Sequence, residues 1–138
     1  MKYWLMKSEP FKYSWEQLIK DGWTHWDGVR NYQASNNMKA MSIGDLVFFY
    51  HSNKGLDIVG VAEVSKLYYP DHTDKSGRFG MVNIKPIKPF PSPVSLKDIK
   101  AEKKLADMAL VKQSRLSVSP VTEKEWKIIC KIGKIKLK

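Results

Sequence analysis

A tryptophan, an Asp-Gly turn, an arginine and an asparagine follow one another in Trp26–Asn31, which reads WDGVRN. A flat ring can stack on a flat ligand, and stacking on one nucleic-acid base is worth roughly 1–3 kcal/mol. Arginine and asparagine add hydrogen-bonding groups beside that ring. The segment is equally typical of a helix start, because asparagine is a favoured N-cap and a helix is predicted from Tyr32. The segment alone leaves both interpretations open.

Three other segments hold polar groups at the ends of apolar strands, namely KSEP (7–10), YHSN (50–53) and RLSV (115–118). Polar groups placed where strands leave a sheet are typical of ligand sites. Each group also has an ordinary explanation, such as a surface ion pair, a buried histidine or a tryptophan that belongs to the core. The repeated placement favours a binding site. The predicted site residues are Lys7, Ser8, Glu9, Trp26, Gly28, Val29, Arg30, Asn31, His51, Ser52, Arg115 and Ser117.

Motifs of the common enzyme classes are missing from the sequence. It contains no G-x-S-x-G nucleophile elbow, no phosphate-binding loop and no G-x-G-x-x-G fingerprint. The single cysteine, Cys130, and the histidines His25, His51 and His72 do not have the spacing of a metal site. We therefore predict no catalytic residues, no metal and no cofactor.

Charge and length indicate the class of partner. The 138 residues suit one domain, 1–138, and the 24 lysines and arginines exceed the 14 acidic residues by a net charge of +10. Such an excess favours a polyanionic partner, of which nucleic acid is the most common, although a basic surface without any partner remains the alternative. We expect a monomer.

No targeting or membrane segment is evident in the sequence. The first residues, MKYWLMKSEP, are interrupted too early by charge to form a signal peptide. No apolar run approaches the roughly 20 residues that span a bilayer. We expect no membrane partner and a cytoplasmic location, or a nuclear one if the source has a nucleus.

Strands and short helices without regular βαβ spacing predict an α+β fold, with a curled, barrel-like sheet surrounded by helices. Apolar, β-prone runs predict the strands Lys2–Ser8, Leu46–Ser52, Ile58–Tyr69 and Gly80–Phe90, and a short extended piece at Arg115–Val121. Helices are predicted at Trp15–Asp21 and Tyr32–Met41, within Ser95–Val111, and from Thr122 to Ile132.

Individual residues predict how these elements begin, bend and end. Ser14 with Gln17, and Thr122 with Glu125, have the spacing of capping boxes. Gly60 predicts a bulge or bend within its strand. Proline removes a backbone donor, so Pro86 and Pro89 confine the late part of the Gly80–Phe90 strand to an edge or an irregular end. Those that follow from Pro89 to Pro93 predict a connection.

Six motifs together resemble the EVE domain family, also called thymocyte nuclear protein-like. They read KYWLMKSEP, W-x-GVRNYQA, GDLVFFYHS, IVGVAEV, YPDHT and RLSV-x-PV, in that order along nearly the whole chain. The resemblance implies a PUA-like fold, a small curled β-barrel with peripheral helices. It extends to the YTH readers, in which a Lys-Ser at the end of the first strand and a following tryptophan contribute to a modified-base pocket.

This resemblance implies recognition of a modified base, in particular a modified cytosine, extruded from DNA or RNA. Lys7–Glu9 would line the pocket mouth. Trp26 would stack on the base, with Arg30, Asn31 and the backbone just before them at its side.

The resemblance assigns the other edges of the pocket to two further segments. His51 and Ser52 would present polar groups to the base, and Arg115 with Ser117 would close the far side.

The sequence is also compatible with two other functions. A hydrolase of a modified nucleoside could use Lys7 and Glu9 as acid and base near His51, because residues two apart on a strand face the same side. No positioned nucleophile supports that activity. An interaction module with a vestigial pocket could instead dock an acidic partner through its basic surface.

Overall fold

The computed structural model describes residues 1–137, which form one curled mixed sheet with helices on both of its faces. The strands are β1 (Tyr3–Ser8), β2 (Thr24–His25), β3 (Leu46–His51), β4 (Asp57–Pro70), β5 (Gly80–Ser95) and β6 (Val118–Val121). The helices are α1 (Trp15–Asp21), α2 (Tyr32–Lys39), α3 (Leu96–Ala101), α4 (Ala109–Lys112) and α5 (Glu123–Ile132), with a 3₁₀ turn at Lys103–Leu105. The six strands lie in the order β2-β5-β4-β3-β1-β6. The predicted α+β class is confirmed.

The central strands β1 and β3 run parallel and are apolar almost throughout, because both of their faces are covered. Successive side chains point to opposite faces. Phe49 therefore enters the layer that contains α1 and α2, whereas Phe48 enters the layer that contains α3 and α5. In the second layer Phe48 stacks on Trp126 at a ring-centroid distance of 3.7 Å. The sheet thus separates two cores.

The curl arises in the long pair β4 and β5, whose register shifts at several points. One shift lies beside Gly60, where any side chain would collide with the Trp15 ring, so the predicted bend at this glycine is confirmed. Among the described residues, β5 after Ile84 pairs with β4 alone, which confirms the predicted edge. The predicted connection from Pro89 to Pro93 is wrong, because this edge tolerates prolines and β5 continues to Ser95.

Helix starts follow the sequence closely. Ser14 accepts a hydrogen bond from the Gln17 N–H at 3.0 Å, but the Gln17 side chain donates to Asp21, so only half of the predicted capping box forms. At α5 both halves form between Thr122 and Glu125. None of the helices described within 1–137 is long and apolar enough to cross a membrane.

Candidate functional site

A cleft of about 650 Å³ opens where β1 and β2 end. Its volume lies within the range of small-ligand sites. The structure brings together five of the predicted site residues in its lining, namely Lys7, Ser8, Glu9, Trp26 and Gly28. Five further lining residues were not predicted as site residues: Lys12, Tyr13, Thr24, His25 and Asp27. Most of these lie on or beside β2, a two-residue strand that is too short to leave a sequence pattern.

Trp26 forms a fixed wall of the cleft. Its backbone N–H donates to the Val82 carbonyl at 2.8 Å, which holds it beside β5. The indole is only 8% exposed and meets Phe49 edge-on at a centroid distance of 5.6 Å. The ring is therefore part of the core and also borders the cleft. A wall held in this way keeps its orientation before any ligand arrives.

Asp71 holds the loop that carries the WDGVRN segment. Its side chain is completely buried and accepts hydrogen bonds from the N–H of Gly28 at 2.8 Å and from the hydroxyl and N–H of Thr73 at 2.6 and 2.7 Å. Arg30 adds a charged contact at 3.1 Å. Burial alone would raise the pKa of Asp71, but the hydrogen bonds from Thr73, Gly28 and Arg30 together lower that pKa strongly.

Sequence reasoning missed Asp71 as an organising residue. It lies in a polar loop, PDHTDKSGR, where an aspartate is ordinary. The Asp-x-Thr spacing was an available signal, because aspartate often accepts from the N–H two residues on. Its contact with Gly28, whose φ of 80° suits glycine, joins two distant parts of the chain.

Arg30 and Asn31 are both engaged with other groups of the protein. Arg30 is bound to Asp71 and donates to Thr73 at 2.9 Å, and it lies over the Phe79 ring at 5.8 Å. Asn31 accepts from the Ala34 N–H at 2.9 Å and thereby caps α2. The helix-start interpretation of this residue is confirmed. Val29, which lies between Gly28 and Arg30 in the chain, is buried in the core.

A second, smaller cleft of about 300 Å³ contains Asn31 and Arg115. Gln33 and Gln113 add amide groups to its lining. Lys7 links the two clefts, because its backbone N–H donates to the Ser117 carbonyl at 2.9 Å and its Nζ donates to the Ser114 carbonyl at 2.7 Å. The structure thus distributes the predicted site over two neighbouring depressions.

Lys7 and Glu9 are engaged with different partners. Burial lowers the pKa of Lys7, whose ammonium group is held by the 114–117 segment. Glu9 instead accepts from Asn53 at 2.5 Å and pairs with Lys12 at 3.3 Å. A coupled acid and base need to act on the same group, so this arrangement gives no support to the hydrolase alternative.

Ser8 and Ser52 contribute mainly to the local structure. The Ser8 hydroxyl donates to the Tyr13 carbonyl, and the Ser8 carbonyl accepts from the Ser52 N–H at 2.9 Å. Tyr13 donates its own hydroxyl to Asp21 at 2.8 Å, and burial raises its pKa to about 12. The phenol therefore stays protonated and neutral at the edge of the cleft.

His51 supports the start of α1. Its Nε2 accepts a hydrogen bond from the Trp15 N–H at 3.1 Å, and the residue is 9% exposed. This nitrogen is therefore not free to read a ligand. Burial lowers the pKa of His51, and the carboxylates of Glu16 and Asp57 only partly oppose that shift.

Replacing His51 with phenylalanine is expected to reduce the pH dependence of stability. Because the folded pKa of His51 is lowered, the unfolded chain binds the proton more readily, so stability is lost as pH falls below about 6.5. The variant also leaves the Trp15 N–H without its acceptor, at a cost of about 1–3 kcal/mol. Denaturant unfolding at several pH values measures both effects. A variant with an unchanged pH slope would contradict the assignment, and His72→Ala, at an exposed position, is the control.

The fold and the site together define a class of protein: an α+β, PUA-like binding domain with a curled six-stranded sheet and a polar cleft at its strand ends. The chain belongs to the EVE domain family, whose model matches residues 2–132. The resemblance inferred from the motifs is thereby confirmed.

Relatives and solved structures match almost the full length of this chain. Thymocyte nuclear protein 1 of Rattus norvegicus is 36% identical over 161 aligned positions, covering 92% of this chain and 71% of that protein. A crystal structure from Agrobacterium tumefaciens is 53% identical, with a TM-score of 0.95 over 98% of this chain and 94% of that one. The human THYN1 protein, crystallised in complex with 5-methylcytosine containing DNA, is 30% identical, with a TM-score of 0.92 over 99% of each chain.

Proposed function

We propose that this protein is a non-catalytic reader of a modified base, a modified cytosine in DNA, which it takes from the stack into the cleft beside Trp26. The observation that carries the proposal is the match in fold to the human protein crystallised with 5-methylcytosine containing DNA. The cleft supports it, since it combines an aromatic wall with polar groups and has the volume of a small-ligand site.

The energetics require contacts beyond the base. Stacking on an aromatic ring supplies roughly 1–3 kcal/mol, whereas extruding a paired base costs a few kcal/mol. Phosphate contacts have to provide the remaining affinity, and a chain of net charge +10 is suited to make them. Lys12 stands at the cleft with a side chain that is 72% exposed. Lys7, by contrast, is held by the Ser114 carbonyl.

The finer features of this function follow from the same proposal. DNA is the favoured polymer because the human relative was crystallised with it, and RNA is the competing ligand in the binding test. A nuclear location in a eukaryotic source agrees with the word nuclear in the names of the relatives. The proposal also includes binding by a monomer.

Oligonucleotides that contain one 5-methylcytosine are expected to bind more tightly than the same oligonucleotides with plain cytosine. Fluorescence anisotropy over single- and double-stranded DNA and RNA measures this preference. The panel includes other cytosine and adenine modifications. Equal affinity for every base in the panel would overturn the proposal. Release of a cleaved or altered base would instead support the hydrolase.

Replacing Lys12 with glutamine is expected to weaken binding of modified and plain DNA alike and to reduce the salt slope by about 1, because a phosphate contact carries no sequence information. Lys127→Gln is the matched control. Lys127 is 73% exposed and, like Lys12, pairs with a glutamate three or four residues earlier in the chain. If the two variants behave identically, Lys12 does not contact the phosphates.

A further inference from the structure

Two histidines and an aspartate that are separated in the sequence meet at the rim of the large cleft. The ligand atoms of His25, Asp27 and His72 all lie within 4.8 Å of one another. The two imidazole rings are 5.0 Å apart between centroids and perpendicular. The Nε2 of His25 is 4.0 Å from the Asp27 carboxylate. The sequence spacing of the histidines predicted no such group, because the contact depends on the fold.

From this cluster we infer a binding site for a divalent transition-metal ion of the zinc class, formed by His25, Asp27 and His72. Imidazole nitrogen suits zinc, copper, nickel and iron, and two histidines with one carboxylate are a recurrent ligand set for such ions. Calcium and magnesium prefer sites made of oxygen ligands alone, so they fit this set less well.

The backbone around each ligand is fixed, whereas the side chains can adjust. His25 is paired with Asn83 in the sheet, and the next residue, Trp26, is bound to the Val82 carbonyl. The Gly28 N–H donates to the Asp71 side chain at 2.8 Å, which joins the two loops. Asp27 precedes Gly28 and His72 follows Asp71, so this bond brings them side by side. The His25 and Asp27 side chains are 39% and 42% exposed, so modest rotations can close the cluster around an ion.

A three-ligand site leaves at least one coordination position for another donor. His25 and Asp27 also line the large cleft, so a bound ion adds positive charge at its rim. An oxygen donor that enters the cleft, such as a phosphate, can occupy the free position. The site itself does not depend on the proposed base recognition, because its ligands belong to the protein alone.

Cys130 is the main competing zinc ligand in the chain. It is the only cysteine, and burial raises its pKa to about 11, so the thiol stays protonated. Because metal binding requires the thiolate, we expect Cys130 to contribute nothing. The variant Cys130→Ala therefore separates binding at the histidine cluster from binding at the thiol.

Isothermal titration of the purified chain with zinc chloride tests the inference without DNA. We expect one ion per chain, with zinc affinity reduced at least about 10-fold in His72→Ala and Asp27→Asn. Removing a residue that only hydrogen-bonds to a metal ligand already lowers metal affinity by about 10–100-fold. Cys130→Ala should bind as the unmodified protein does. Thermal unfolding without metal checks that His72→Ala, at an exposed position, remains folded.

Three outcomes would overturn the inference. They are an absence of saturable zinc binding, equal affinity in the unmodified protein and His72→Ala, and loss of binding in Cys130→Ala. Because no nucleic acid is present, failure here leaves the proposed base recognition intact. Failure of the oligonucleotide panel likewise leaves the metal site intact.

Discussion

Replacing Trp26 with alanine is expected to abolish the preference for a modified base and to lower the free energy of unfolding by about 3–5 kcal/mol, the usual cost of removing a buried aromatic side chain. Both effects have one structural cause. The indole is 8% exposed and packs against Phe49, yet it also borders the cleft. Anisotropy with modified and plain oligonucleotides measures the loss of preference, and denaturant unfolding measures the loss of stability.

Trp126 provides the matched control for this experiment. It is also buried, at 4% exposure, and stacks on Phe48 in the core on the other side of the sheet. Trp126→Ala should therefore lose similar stability but keep its preference for the modified base. Trp26→Phe retains an aromatic wall and should keep part of the preference. If Trp26→Ala folds and still prefers the modified base, Trp26 is a core residue without a role in recognition.

The main elements could be predicted from the sequence because their signals are local. Apolar runs identified the central strands, and Ser14, Asn31 and Thr122 identified helix starts through their caps. The failures have a common cause, since β2 and the late part of β5 are defined by pairing with distant residues. Pairing over long distances in the chain leaves little trace in propensity.

The site was only partly predictable, for the same reason. The placement of polar groups at strand ends grouped Lys7 with Trp26, and both residues line one cleft. It could not reveal that Arg30 turns to Asp71 or that His51 supports α1, because these contacts join residues dozens of positions apart. A side chain that satisfies a buried partner looks the same in sequence as one that awaits a ligand.

Asp71 accounts for the second large effect that the structure predicts. Asp71→Asn is expected to lower the free energy of unfolding at neutral pH by about 3 kcal/mol, because bonds to a charged acceptor are worth about 1.5–3 kcal/mol and an unsatisfied buried donor costs about 1–3. The amide group of asparagine would face donors from Gly28, Arg30 and Thr73, and only one of its two polar atoms can accept.

The same residue gives the protein a pH-dependent stability with a defined sign. The pKa of Asp71 is lower in the folded chain than the value of about 3.9 expected when unfolded, so its contribution is complete above that pH and is lost as pH falls below it. In Asp71→Asn the free energy of unfolding, measured with denaturant, should fall less steeply between about pH 5 and pH 2. Asp107→Asn, at a carboxylate that is 95% exposed, is the control and should retain the loss of stability at acid pH.

The Asp71 variant should also bind modified DNA more weakly, because the hydrogen bond from the Gly28 N–H to Asp71 positions the loop that begins at Trp26. If the free energy of unfolding of Asp71→Asn matches that of the unmodified protein at both pH 5 and pH 2, Asp71 does not hold the loop.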